Sequence, residues 1–182
     1  KIIDLLKQAV DLNNKSFEAN WRLARAYFWL CDNTEDGATD KKLGWKGLHY
    51  ARAAIQLNPK RVEGHYFAAL TVGEYSKGLG IITALRKGIE KKFRGHLDRA
   101  MRINRGYEGG GADRAYGNFW HVLPWPKKDN GKSLQHFKKS FTYNKTLPRT
   151  HFYIARVYLD EGDKAAAKRH IDKCLSADPN KG

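Results

Sequence analysis

Residues 147–181 constrain the fold more than any other stretch. They read LPRTHFYIARVYLDEGDKAAAKRHIDKCLSADPNK, which has the spacing of a two-helix unit of about 34 residues. His151, Ile154, Ala155 and Tyr158 form its first block, Ala167 and Ile171 its second, and Pro179 closes it. Ala155 is small enough for a second helix to cross close to the first. Ile154, Tyr158, Ile171 and Leu175 fill the space between them, and Gly162-Asp163 makes the turn.

The same spacing recurs upstream. KIIDLLKQAVDLN (1–13) is a second helix without its first, so its apolar stripe is left uncovered on one side. In 17–59, Asn20, Leu23, Ala24 and Tyr27 repeat the first block, and Ala51, Ala54, Ile55, Leu57 and Pro59 the second. The extra residues of this unit fall in CDNTEDGATDKK (31–42), which is polar, lacks helical periodicity and predicts a surface loop. In 62–104, Gly64, Phe67, Ala68 and Thr71 open the unit and Leu97, Ala100, Met101 and Ile103 close it. Its insertion carries Ile81, Ile82, Leu85 and Ile89 at helical spacing between glycines, which predicts an added helix near 78–93. That helix covers either the chain's own core or a subunit interface. In 109–145, Tyr116, Gly117 and Trp120 precede Ser133, Phe137, Ser140 and Phe141, with the apolar knob Trp125 in a proline-flanked loop between them. The last unit is 148–182. No linker separates the units, so the expectation is a single all-α domain over 1–182: about four repeats plus a leading half-repeat.

The chain has 34 Lys and Arg against 19 Asp and Glu, a net charge of +15, which favours acidic partners. Cys31 and Cys174 make no paired-cysteine motif, and Cys174 sits where a repeat wants a small buried residue; one disulfide between them stays open. No run of apolar residues is long enough to span a membrane. The chain starts at Lys1 in mid-repeat, so an upstream portion is expected, and whether it carries a targeting signal stays open. No phosphate loop, nucleophile elbow or zinc motif is present, which argues against an enzyme and calls for no cofactor or metal.

In stacked helix pairs the first helices line the concave face. Those positions are Trp21, Arg25, Phe28 and Trp29, then His65 and Ala69, then Arg114, Asn118 and His121, then Arg149, Phe152 and Arg156. Arginines and rings with no carboxylate point to a groove for an acidic peptide or a small organic anion. The competing explanation is that a chain at +15 shows basic residues on every face. The densest basic run, Arg86 to Arg105, holds only Phe93 as an aromatic, which disfavours nucleic acid.

These repeats resemble the tetratricopeptide repeat (TPR) superfamily over nearly the whole chain, which implies a TPR-like α-solenoid and a protein partner. INRGYEGGGADRAYGNFWHVLPWP (103–126) further resembles the T component of TRAP transporters, tripartite periplasmic importers of organic acids. The resemblance rests on Gly110-Gly111-Ala112-Asp113-Arg114, Gly117 and the Pro124-Trp125-Pro126 loop. It implies a periplasmic or envelope location, often through an N-terminal lipid anchor. It also implies a trimer around a pore, with the inserted helix at its interface, and a substrate-binding subunit as partner. A generic TPR adaptor gripping an acidic peptide or protein segment is the other reading, with a cytoplasmic location left open.

Overall fold

The computed structural model describes residues 1–34 and 36–176. Pro179 and the end of the last repeat lie outside them. All the regular structure among the described residues is helical: α1 (Ile2–Leu12), α2 (Phe17–Asp32), α3 (Gly37–Leu57), α4 (Val62–Leu79), α5 (Ile81–Arg86), α6 (Ile89–Asn104), α7 (Tyr107–Val122), α8 (Asn130–Ser140), α9 (Pro148–Asp160) and α10 (Lys164–Leu175). The expected all-α fold is observed. Two compact units divide the chain, Lys1–Asn104 and Arg105–Gly182.

In the first unit α1 packs on α2, α2 pairs with α3, α3 lies beside α4, and α4 pairs with α6. Ser16 starts α2 by accepting from the Ala19 N–H at 3.1 Å. The core takes one stripe from each helix, as the spacing requires: Leu23, Ala24 and Tyr27, then Ala51 and Ala54, then Phe67, Ala68 and Thr71, then Leu97 and Ala100. Side chains alone do not set the distance between α3 and α4. A Cβ on Gly44 would stand 2.6 Å from the Tyr75 backbone nitrogen, and one on Gly78 2.4 Å from the Gly37 carbonyl.

Two expectations for this unit need correcting. The predicted loop over 31–42 shrinks to the few residues before Gly37. Asp36 caps α3 through the Ala38 and Thr39 N–H groups, and α3 continues through Lys41 and Lys42. Asp40, fully buried, ties this added turn to Lys77 of α4 at 3.0 Å. The predicted single inserted helix is split among three elements. α4 runs on to Leu79, Gly80 (φ +80°) breaks it, α5 is short, and Gly88 (φ +65°) precedes α6. Ile89 is buried, Ile81 and Leu85 are half-buried, and Ile82 faces out.

In the second unit α7 pairs with α8, α8 touches α9, α9 pairs with α10, and α7 also meets α9. Phe137, Ile154 and Val157 form its core, with Leu134, Phe141, Tyr153 and Tyr158 against them. A Cβ on Gly117 would stand 2.5 Å from the Phe137 ring, and the Ser133 hydroxyl donates to the Gly117 carbonyl at 2.7 Å. The glycine triplet is more than an inter-repeat turn. Glu108, Gly109 and Gly110 form a left-handed turn with φ of 53°, 59° and 73°, and right-handed helix resumes at Gly111. Gly162, at φ +81°, makes the expected turn before α10, whose start Asp163 caps.

Gly44→Ala therefore forces a methyl group into the α4 backbone. The expected loss is about 2 kcal/mol, within the range for overpacked sites, whereas Gly95→Ala, where a Cβ meets nothing, is expected to be neutral or stabilising. Urea unfolding of the two variants beside the parent checks this.

Candidate functional site

The first unit carries an arginine–aromatic cluster on α2. Trp21 is only 8% exposed and lies parallel to Phe67 of α4, with ring centroids 5.9 Å apart. The guanidinium carbons of Arg22 and Arg25 stand 4.6 and 5.1 Å from the Trp21 ring centre. The Trp21 indole N–H donates to Glu18 at 3.0 Å, and Glu18 also holds Arg22 and, at 3.6 Å, Arg61. Arg61 in turn donates to Glu63 at 3.1 Å. Burial works against the charged form of Glu63, but the Arg61 hydrogen bonds outweigh it and hold its carboxyl below the ordinary range. Arg22 and Arg61 are thus held by acids, whereas Arg25 is held only by the indole among its described contacts. One helical turn on, buried Phe28 tilts against Trp29, which is 46% exposed. Trp21 and Phe28 are walls rather than open surface; Arg25 and Trp29 reach solvent.

His65 is buried on α4. Its Nε2 donates to the Pro59 carbonyl at 3.1 Å, and its Nδ1 has no partner. Burial lowers its pKa, against the Pro59 hydrogen bond and with help from Arg99. His96 lies 6.0 Å away, centre to centre, and is pushed down to about 4 by burial first, then by His65 and Arg52. Burial thus disfavours the charged form of both rings.

In the second unit the groove positions divide. Arg114 is buried, and its guanidinium donates to the carbonyls of Gly109 and Glu108 at 3.2 and 3.0 Å, so it braces the left-handed turn. His121 is buried against Asn130 at 3.2 Å. Asn118 keeps a buried, unpartnered Oδ1. Arg149 is half-buried, Phe152 is 44% exposed, and exposed Arg156 stands 5.9 Å over the Phe152 ring. Trp125, 88% exposed, projects from the loop after α7.

Asp113 does not cap a helix start, the ordinary role for an acid just after a glycine-rich turn. It is fully buried between a two-pronged Arg105 contact (2.8 and 3.1 Å) and His136 Nδ1 (2.9 Å), with His136 stacked on Tyr116. Burial opposes its charge, and the His136 and Arg105 hydrogen bonds overcome this, so its pKa is lowered.

Sequence reasoning missed one face. On α3, Trp45, His49, Arg52 and Gln56 recur at helical spacing and, with Leu48 and Ala53, line a cavity of about 230 Å³. Trp45 is 55% exposed, rests against Tyr75 at 5.7 Å, and has the Arg52 guanidinium 6.0 Å over its ring. The 45-49-52-56 stripe is legible in the sequence, but those positions belong to a second helix, where only core residues were sought.

Both cysteines are free. Cys31 is buried, and that burial, reinforced by Glu74 and Asp40, raises its thiol to about 12, so it is unreactive. Among the described residues no group of three His, Cys, Asp or Glu is arranged to hold a metal ion, and no helix is long and apolar enough to cross a membrane.

Residues 1–108 match the family described as "Regulator of microtubule dynamics protein 1-3", and residues 148–181 match a tetratricopeptide repeat. Regulator of microtubule dynamics protein 3 of Bos taurus is 25% identical over 171 residues, 90% of this chain and 35% of its own length. The Xenopus laevis protein of the same name is 32% identical over 100 residues, 52% of this chain and 21% of its own. The chain thus spans about a third or less of these relatives. A thermophilic TPR protein of Thermus thermophilus superposes with a TM-score of 0.75 at 19% identity, covering 98% of this chain and 82% of that one. MamA does so with a TM-score of 0.59 at 14% identity, covering 98% and 88%. The fold is that of TPR proteins. The likeness to TRAP transporter T components is corrected: the short 110–126 motif suggested it, but relatives aligned across most of the chain are regulators of microtubule dynamics. The periplasmic location, lipid anchor, pore-forming trimer and substrate-binding subunit rested on that likeness and lose their support with it.

Asp113 has a lowered folded pKa, so its contribution is complete above the ordinary carboxylate range and is lost as pH falls through the depressed value. Asp113→Asn is expected to cost about 2 kcal/mol at neutral pH. It should also flatten the acid limb of stability, as followed by thermal unfolding from pH 7 downward.

Proposed function

The chain belongs to the regulator of microtubule dynamics family, and from that premise we propose that it is a non-enzymatic TPR adaptor that grips an acidic segment of a protein partner. One observation carries this: the Arg25 guanidinium carbon stands 5.1 Å over the Trp21 ring, one helical turn before exposed Trp29, while its neighbours Arg22 and Arg61 are already held by acids. An arginine whose fork is oriented by a ring loses less freedom on meeting a carboxylate, and exposed Trp29 offers apolar area beside it. In the second unit Arg156 over Phe152 repeats the arrangement. The surplus of +15 would steer an acidic partner toward either patch. The relatives' name points to microtubules as the assembly on which such a grip acts.

Cosedimentation with paclitaxel-stabilised microtubules, alongside fluorescence anisotropy with a poly-glutamate peptide, tests this. The parent is expected to bind both, less strongly as salt rises. Arg25→Ala with Trp29→Ala should weaken binding about tenfold or more, as for aromatic and arginine hot spots. Binding that ignores both substitutions, or no binding to any acidic probe, sinks the proposal.

A further inference from the structure

The α3 cavity lies on a different helix from the Arg25 patch, and its lining has an unusual make-up. Among the six residues around it there is one cationic fork, one imidazole, one amide and one indole, and no carboxylate. The other acids on α3 are already used. Asp36 caps the helix, and Asp40 is buried on Lys77, twelve residues before Arg52, or about 18 Å along a helix. Arg52 is therefore held by the Trp45 ring and has no carboxylate among its described contacts. Across from it, His96 of α6 feels Arg52 as a repelling charge, and His65 feels Arg99. An anion entering the cavity meets the Arg52 guanidinium on α3. Trp45, more than half exposed and steadied by Tyr75, leaves apolar area at the cavity mouth. The volume, about 230 Å³, is smaller than a usual small-molecule cavity of ~300–1,000 Å³. It suits individual side chains of an extended peptide.

We propose that the α3 cavity is a second peptide subsite, in which Arg52 takes a carboxylate of the partner while an adjoining apolar side chain of the same segment packs on Trp45. This rests on the acidic-segment reading above and adds a sequence requirement to it: acid and apolar residue side by side. His49 and Gln56 supply further hydrogen-bonding groups along the same stripe.

The test titrates the intact chain with a peptide of alternating Glu and Phe and follows the tryptophan indole N–H signals, with Trp45→Phe assigning its own. The Trp45 signal is expected to move to saturation. Arg52→Ala should weaken the affinity read there about tenfold, the worth of one charge-assisted contact, and Arg52→Lys, which keeps the charge but not the fork, should restore part of it. Movement at Trp29 without movement at Trp45 overturns the subsite and leaves the proposed function standing. No movement at either overturns both. Equal shifts from sodium glutamate alone identify a free-anion site and overturn peptide seating. Shifts with phosphatidylserine vesicles but not with peptide assign the face to a lipid surface and also overturn it. If Arg52→Ala fails to fold, the parent's Trp45 response still decides.

Discussion

Everything in this chain depends on how closely paired helices can cross. At Gly44, Gly47 and Gly78 in the first unit and Gly117 in the second, the position of a Cβ is already occupied by a neighbour: a backbone nitrogen, the Thr71 methyl, a carbonyl, the Phe137 ring. Ala24, Ala51, Ala54, Ala68 and Ala155 add small side chains to the same crossings, each at most 2% exposed. The large residues can fill the remaining space only because these small ones bring the backbones together first.

The charge distribution follows from the packing. Asp40 and Asp113 are fully buried, Glu63 nearly so, and each is held by a cation: Lys77, Arg105 and Arg61. Acids that serve the fold are not available to offset the remaining cations. A chain with 34 basic and 19 acidic residues therefore leaves arginines over, and several of these lie on aromatic rings instead: Arg25 on Trp21, Arg52 on Trp45, Arg156 on Phe152. Rings fix the orientation of these guanidinium groups without neutralising them.

Core positions were legible because helical spacing reports directly which residues share a stripe. Leu23, Ala24, Tyr27, Phe67, Ala68, Leu97, Phe137, Ile154 and Ala155 are all buried as their spacing required, whereas Leu57 and Leu175, at the C-terminal ends of their helices, are exposed against that expectation. The insertions were less legible. Polar composition around 31–42 read as a loop, yet the Asp36 cap and the Asp40–Lys77 pair stabilise helix there, and that pairing joins residues far apart in sequence. Groove residues were read only in part for a related reason. The spacing selected Trp21, Phe28 and His65 in the first unit and Arg114 and His121 in the second as outward-pointing, but all five are buried, and burial depends on what lies opposite within each unit: Phe67 for Trp21, the Pro59 carbonyl for His65, Asn130 for His121. The α3 cavity went unseen because a second helix of a pair is usually judged by its inner stripe alone.

The left-handed turn at Glu108–Gly110 changes how an arginine should be interpreted here. Three successive residues of reversed hand bring two carbonyl oxygens onto one guanidinium, that of Arg114. A lysine at 114 has one ammonium and cannot hold both oxygens in the plane that the fork spans. The GGGADR string thus encodes a route for the main chain, a hairpin-like reversal of hand clasped from inside. Where related sequences keep those six letters, they preserve an itinerary of the backbone rather than an appetite for any ligand.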